Sequence, residues 1–460
     1  MASSKRPVPP MILIVSCAAN RPGTPVVYVV ADPSSCPDYR SSCCHFTNLS
    51  DHPDQQCFAD RITDDLTTDL SRFTGMRVIS RRTASTYRNK PVDAKQIGRK
   101  LGVRYVLEGS VHPSANHVRV NAQLIDAQTD THLWAERYDR DAGDLFGAQD
   151  EITKQTAVAL YIELIGSEAS RPTEYPDALE YVLRARAVRF KPLNHVGHTE
   201  SIGLYERAVD QEPNCAEARG GLAEALVQRA LDEMTDAAAA DIARAAQLAA
   251  QALAASPRSA FAHVAKGRVL SAQGRYEEAI AEHETANAIN RSWPHIYGSL
   301  SDCKFWSGSI EEAIPIAEQA MAISPIDAFR ASWYLSIGRV HLVRSRTNEA
   351  VAWLEKTNSA NSEFPTAHAW LASAYALNGE IERAAAELAH ARSLSRDGRY
   401  SSIARLKAFG CLGVPKVRAL LRTPFSPACT RPACRRNSRG GILRSSRLIH
   451  PHIACGPSRG

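Results

Sequence analysis

Two segments decide the fold of the longer part of this chain: GRYEEAIAEHETANAIN, residues 274–290, and GSIEEAIPIAEQAMAIS, residues 308–324. They superimpose with a shift of 34 residues, which places Ala279 on Ala313. A period of this length, with apolar residues at helical spacing, is typical of helix pairs that stack into a solenoid. The second half of the sequence therefore predicts an all-α repeat array.

Small residues recur at one fixed place in each helix of this repeat. Small side chains let paired helices approach more closely than larger ones would allow. The period, the small residues and a proline that closes several repeats together resemble the tetratricopeptide repeat. We count about six repeats within residues 175–397, with about ten extra residues near residues 232–241. The predicted packing residues are Gly267, Ala279, Ala313, Gly338, Ala350 and Ala384.

A different pattern, alternation of apolar and polar residues, marks the region before the repeats. Residues 101–140 keep a period of two over three consecutive segments, which predicts an antiparallel meander with one buried face. Helices are predicted over residues 59–73, over DAKQIGRKLG ending at Gly102, and over about residues 142–165. Residues 41–167 are thus expected to form a small α/β domain with a mixed sheet.

Three segments of this domain carry a family resemblance. They are NLSDHPDQQCFADRITDDLTTDLSR, residues 48–72, VISRRTASTYRNKPVDAKQIGRKLGVRYVLEGSV, residues 78–111, and VRVNAQLIDAQTDTHLWAERYDRDAGDLFGAQDEI, residues 118–152. They resemble the TolB-like amino-terminal domain that precedes tetratricopeptide repeats in bacterial adenylate/guanylate cyclases and in CadC-type transcription regulators. In those families the cyclase domain or the winged helix lies on the amino-terminal side, so the resemblance implies a non-catalytic module here. Arg61 replaces the glycine of the family's FADG motif. Residues 1–40 are expected to be a disordered or non-native leader, too short for either domain.

Basic charge is concentrated at the carboxyl end of the chain, and cysteines at both ends. Residues 415–460 contain ten Lys or Arg and no acidic residue, which leaves 45 basic and 49 acidic residues elsewhere. This tail is predicted to be disordered, and it is either a basic arm for nucleic acid or anionic lipid, or a frame-shifted end. The long middle of the chain has only Cys215 and Cys303, which fits a cytoplasmic location. A membrane-associated or periplasmic location is the alternative if residues 11–19 act as a signal.

The sequence contains none of the usual phosphate-binding, dinucleotide-binding, hydrolase or metalloprotease motifs. Asp64 and Asp65 lie on the polar face of a predicted helix, which is typically a solvated face. His112, His117 and His132 flank the meander and are interpreted as surface residues rather than metal ligands. We therefore predict no catalytic residue, no cofactor, no metal site and no small-molecule substrate.

The residues that follow the small position of the first helix in each repeat are predicted to face a concave groove. They are Arg268, Asp302 and Arg339, with Trp306 one turn beyond Asp302. Arg and Trp often dominate the energetics of interfaces, although helix pairing is an equally good interpretation of these four.

The first hypothesis is a non-catalytic regulatory module that binds a protein or peptide in this groove. The alternatives are a fragment of a class III adenylate/guanylate cyclase without its catalytic domain, or a fragment of a CadC-type regulator. Nucleic acid would be bound only through the basic tail, and no membrane span is predicted.

Overall fold

A computed structural model of the protein describes residues 12–17, 28–30, 53–73, 76–79, 93–113, 117–172, 174, 176–192, 194–401 and 417. The chain divides into two compact units, one made mainly of residues 1–167 and the other mainly of residues 168–460. Each unit has its own buried apolar clusters. The predicted leader and tail lie outside the described residues, apart from two strands and Val417.

The first unit is built on a mixed sheet. Within the described residues its strands are β1 Ile12–Cys17, β2 Tyr28–Val30, β3 Arg77–Val78, β4 Tyr105–Pro113, β5 His117–Asp126 and β6 Thr131–Asp141. The helices are α1 Pro53–Ser71, α2 Ala94–Leu101 and α3 Leu145–Ala169. The strand order is β2-β3-β1-β4-β5-β6, with β1 parallel to β4 and β4, β5 and β6 successively antiparallel.

Helix ends and burial in this unit follow the predicted sequence signals. Asp93 caps α2 by accepting a hydrogen bond from the Gln96 amide at 2.6 Å, and Gly102 ends it with a φ of 66°. In α1, Ile62, Leu66 and Leu70 are buried at helical spacing, which fits the helix predicted over residues 59–73. The meander and the helix that follows it are likewise present.

Two expectations about the sheet are corrected. Residues 1–40 were expected to be a disordered or non-native leader, yet β1 and β2 lie there, and β1 pairs in parallel with β4. The apolar run ILIV has no period-two alternation, so the sequence carried no amphipathic strand signal there. In β6, a half-buried alternation was expected, but Tyr138 is its only fully buried residue, since β6 is the edge of the sheet.

The second unit is a stack of helix pairs. Its described helices are α4 Ala178–Arg189, α5 His195–Gln211, α6 Ala216–Leu231, α7 Ala238–Ala255, α8 Ala260–Ala272, α9 Tyr276–Ile289, α10 Pro294–Ser307, α11 Ile310–Ile323, α12 Arg330–Val343, α13 Thr347–Ala360, α14 Pro365–Asn378 and α15 Ile381–Leu394. Short loops connect successive helices, so neighbours run antiparallel. The fold class predicted from the sequence, an α/β sheet domain followed by a helical-repeat solenoid, is confirmed.

Glycines in the left-handed conformation end several first helices of the repeats. Gly274, Gly308 and Gly379 have φ values of 77°, 97° and 88°, which suit glycine at the end of a first helix. The extra residues expected near residues 232–241 are divided between the loop after α6 and the length of α7, which has 18 residues where most later helices have 14. The α4–α5 pair is thus the first of six pairs, and α14–α15 the last.

Candidate functional site: a cleft inside the helical repeats

The first helices of repeats two to six line a common cleft in the second unit. These helices are α6, α8, α10, α12 and α14. The cleft has a volume of about 900 Å³, its open mouth included. All four residues predicted to face a groove, Arg268, Asp302, Trp306 and Arg339, line it together. Their role in binding remains a prediction, but their placement on a single surface follows from the repeat spacing.

Arg339 is the buried centre of this group. Its guanidinium carbon lies 5.4 Å from the centre of the Trp306 ring and 5.3 Å from that of Trp370, so it contacts two aromatic faces. Its Nη1 donates a hydrogen bond to Asp302 Oδ1 at 3.1 Å. Only 8% of the Arg339 side chain is exposed. Burial lowers the pKa of this guanidinium, against the opposing effect of Asp302.

Asp302 lies on the floor of the cleft, within reach of solvent but enclosed by protein on most sides. Its side chain is 40% exposed, in contrast to that of Arg339. Burial nevertheless raises the pKa of the Asp302 carboxyl, while Arg339 and Arg268 act to lower it. A carboxylate in this position remains available to a cationic or amide group of a ligand.

Arg268 connects the predicted group to a chain of charges on neighbouring helices. Its Nε donates to Ser299 Oγ at 3.1 Å, and its Nη1 lies 3.5 Å from Glu224 Oε1. Glu224 also forms an ion pair with Arg189 of α4. The charges in the cleft are therefore balanced locally, which limits the desolvation cost of placing them there.

Two further cleft residues were not predicted from the sequence. His283 of α9 is fully buried, and neither of its ring nitrogens has a hydrogen-bond partner among the described residues. Burial lowers the pKa of His283 to about 3, so its ring is neutral. Burial also raises the pKa of the Cys303 thiol to about 12, which makes it a poor nucleophile at neutral pH. Neither residue provides an activated catalytic group.

The predicted packing residues are all buried where paired helices meet. A Cβ on Gly267 would lie 2.6 Å from the His283 ring, and one on Gly338 would lie 2.8 Å from Leu354. The four alanines of this group, Ala279, Ala313, Ala350 and Ala384, have no exposed surface. Ser301 occupies the same place in α10 and donates to the carbonyl of Ala313 at 2.8 Å.

A segment after the last repeat returns to the second repeat. In this segment, residues 395–401, which we call the strap, Arg399 Nη1 donates to Glu233 Oε1 at 2.9 Å. Tyr400, which is 1% exposed, donates its hydroxyl to Glu233 Oε2 at 2.5 Å. Glu233 follows α6 with a φ of 64°, a conformation that costs a non-glycine residue about 1 kcal/mol or more. No period or motif in the sequence indicates this contact, because the two partners are 166 residues apart or more.

The candidate residues of the first unit do not converge on a site. Among the described residues, the one group of histidine, cysteine and carboxylate side chains close enough to hold a metal ion does not include His112, His117 or His132. Asp64 and Asp65 lie on the partly exposed face of α1, but Asp65 Oδ2 accepts a hydrogen bond from Gln149 Nε2 at 2.5 Å, so this face is less solvated than predicted. Nor is any helix in the described ranges both long enough and apolar enough to span a bilayer.

Comparisons with known proteins match each unit separately. Residues 49–155 match the family described as the HilA/YgeH-like transcriptional regulator, second domain, and residues 197–241 match the tetratricopeptide repeat. The TolB-like domain expected from the sequence is not among these matches. The chain is also 41% identical, over 182 residues, to a protein of Rhizobium meliloti (strain 1021) named "Putative adenylate cyclase 3". That match covers 39% of this chain and 31% of the relative, so the chain spans about a third of the relative's length.

Two solved structures are similar to parts of this chain. A thermophilic TPR protein of Thermus thermophilus, TTC0263, is 17% identical, with 43% of this chain and 96% of that chain covered and a TM-score of 0.34. The pilF protein of Pseudomonas aeruginosa is 15% identical, with 50% and 93% covered and a TM-score of 0.34.

Proposed function

We propose that the helical-repeat unit is a non-catalytic, regulatory protein-interaction module that binds a peptide segment of a partner in the cleft. The observation that carries this proposal is that a single cleft is lined by five successive first helices and contains Arg268, Asp302 and Trp306 within its walls. Grooves of this type in repeat proteins bind extended segments through side chains from several repeats at once. The protein's own strap supports the idea, since backbone and side-chain groups of residues 395–401 already bind to Glu233 at the end of α6.

Arg339 is assigned a different role from the other three predicted residues. It is buried between two tryptophan rings, so it fixes the cleft wall and holds Asp302 in place. Asp302, and the partly exposed side of Arg268, are the groups we propose to contact the ligand.

Peptide-display selection against the purified full chain tests the proposal. Two tryptophan variants are compared: Ser332→Trp, in the lining of the cleft, and Ala254→Trp, at an exposed position of α7 outside that lining. Peptides selected by the unmodified protein are expected to bind Ala254→Trp equally and Ser332→Trp at least about 10-fold more weakly. Asp302→Asn, which keeps an acceptor for Arg339 but removes the charge, should weaken binding with little loss of thermal stability. Absence of enriched peptides, or equal binding to Ser332→Trp, would contradict the proposal.

A second candidate function is supported by the comparisons. The match to "Putative adenylate cyclase 3" and the match of residues 49–155 to a transcriptional-regulator domain favour a regulatory part of a cyclic-nucleotide or transcription system. We propose that the first unit is a TolB-like domain of this kind, that the chain acts in the cytoplasm, and that it has no cyclase activity of its own. Purified protein incubated with ATP or GTP and Mg²⁺ or Mn²⁺ is expected to form no cyclic nucleotide. Detectable cyclic AMP or cyclic GMP would refute the non-catalytic assignment.

A further inference from the structure

The last repeat contains a cluster of nitrogen and oxygen donors that is separate from the cleft. His368 of α14 meets Glu387 and His390 of α15, and one donor atom from each lies within 4.8 Å of the others. Glu387 and His390 are three positions apart on one helix, so both side chains leave the same face. His368 is buried, Glu387 is partly buried and His390 is exposed, which gives the cluster one side open to solvent.

The backbone holds His368 in the orientation of a metal ligand. Its Nε2 lies 2.9 Å from the Ser362 carbonyl oxygen, which can only accept, so Nε2 carries a proton and Nδ1 faces the cluster. Metal-bound histidines commonly donate their second ring N–H to a backbone carbonyl in this way. Nδ1 lies 2.6 Å from Glu387 Oε2, so a proton occupies the space between the two groups when no other cation is present.

A fourth donor is placed beside this pair. Asn358 of α13 directs its amide nitrogen toward Glu387 Oε2 at 3.1 Å and toward His368 Nδ1 at 3.1 Å. Its amide oxygen, Oδ1, is buried and has no hydrogen-bond partner among the described residues. An unpaired buried oxygen is costly, and a half-turn of the amide would direct it at a cation held by His368 and Glu387.

The third repeat contains the same pair without the additional donors. His263 Nδ1 lies 2.7 Å from Glu282 Oε2, and His263 Nε2 lies 3.1 Å from the Pro257 carbonyl oxygen. The position that corresponds to His390 is Thr285 there, and Lys266 forms an ion pair with Glu282 at 2.6 Å. The histidine–glutamate pair therefore occurs in both the third and the last repeat, and of these two the last adds a second histidine and an amide to it.

We propose that His368, Glu387 and His390, with the Asn358 amide oxygen, bind one divalent transition-metal ion of the zinc class. Two imidazoles and one carboxylate are a donor set that zinc accepts in a tetrahedral site. Ligand atoms at about 2.0–2.1 Å from zinc are about 3.3 Å apart. The His368–Glu387 pair must therefore open slightly from 2.6 Å, and the His390 donor, which lies within 4.8 Å of the other two, must move closer to them. Rotation of the exposed His390 side chain supplies this movement. The proposal does not depend on the function of the cleft.

Titration of the full chain with Co²⁺ after alkylation of its thiols tests the site, because tetrahedral Co²⁺ absorbs strongly in the visible range. One equivalent of Co²⁺ is expected to give visible absorption bands, and added Zn²⁺ is expected to abolish these bands by competition. His390→Ala, at an exposed position, should weaken Co²⁺ binding by about 100-fold or more. The matched control Thr285→Ala should bind Co²⁺ as the unmodified protein does.

Three outcomes would overturn the proposal. They are the absence of a visible spectrum in a folded protein, a spectrum unchanged in His390→Ala, and an equal loss in Thr285→Ala. A second variant, Asn358→Leu, copies the residue found at the corresponding place before the third repeat, Leu253. It is expected to lower the affinity by about 10-fold while the circular dichroism spectrum and the melting temperature without metal remain unchanged.

Discussion

Replacement of Arg339 by methionine should destabilise the helical-repeat unit, although sequence spacing alone would suggest a surface residue of the groove. Methionine retains much of the apolar stem, so the change mainly removes the guanidinium. Two ring contacts at 5.4 Å and 5.3 Å contribute about 0.5–2 kcal/mol each. The charged hydrogen bond to Asp302 adds about 1.5–3 kcal/mol before allowance for solvent, which reaches the 40% exposed Asp302 side chain and reduces its share.

We therefore expect a loss of about 2–4 kcal/mol in the free energy of unfolding, measured by urea denaturation with an unchanged slope. Asp302→Asn should cost less than about 1 kcal/mol, because asparagine still accepts from Arg339. The double variant separates the pair from the ring contacts, with an expected coupling energy of about 1 kcal/mol. A loss below about 1 kcal/mol for Arg339→Met would refute the assignment of Arg339 as a buried positioning residue between Trp306 and Trp370.

Three other predictions concern stability. Burial raises the pKa of Asp302 in the folded protein, so its contribution to stability is fully present below its ordinary pKa of 3.8 and is lost as pH rises through the folded value. As pH is raised above 4, the urea midpoint should therefore fall more in the unmodified protein than in Asp302→Asn. Gly267→Ala should lower the free energy of unfolding by about 1–3 kcal/mol, because its methyl group would meet the buried His283 ring. Gly203→Ala, whose methyl group meets no atom within 4 Å, should raise it by about 0.5–1 kcal/mol, and equal thermal shifts in the two variants would contradict the packing role of Gly267. Tyr400→Phe removes the hydroxyl that binds Glu233 and should cost about 1.5–3 kcal/mol in chemical denaturation, while a loss under about 0.5 kcal/mol would show that the strap is not bound in solution.

The repeats could be predicted from the sequence because their information is local and recurs. Each period places a small residue at the same helix contact, and the residue after it then faces the concave side. The repeat spacing alone predicts that Arg268, Asp302 and Arg339 lie in one cleft. The period does not predict how deeply each of these side chains is buried. Asp302 and Arg339 occupy equivalent positions, yet the Asp302 side chain is 40% exposed and that of Arg339 only 8%.

Contacts without a local signal were not predictable. The strap binds Glu233 through residues far away in sequence, and the pairing of β1 with β4 joins strands separated by the whole of α1 and α2. The donor cluster of the last repeat had a weak signal, the Glu-x-x-His spacing of Glu387 and His390. Its third member, His368, lies on another helix, so only the folded chain brings the three together.

The strap changes how the repeats are expected to unfold. In an open solenoid each repeat contacts only its neighbours, so that the ends fray first and protection from hydrogen exchange declines toward them. Here Arg399 and Tyr400 tie the end of the sixth repeat to Glu233 in the second. The five repeats between these points form a closed ring of contacts, in which opening of α15 also requires release of the end of α6. Such a ring should exchange and unfold as one cooperative unit, with only the first repeat free to fray.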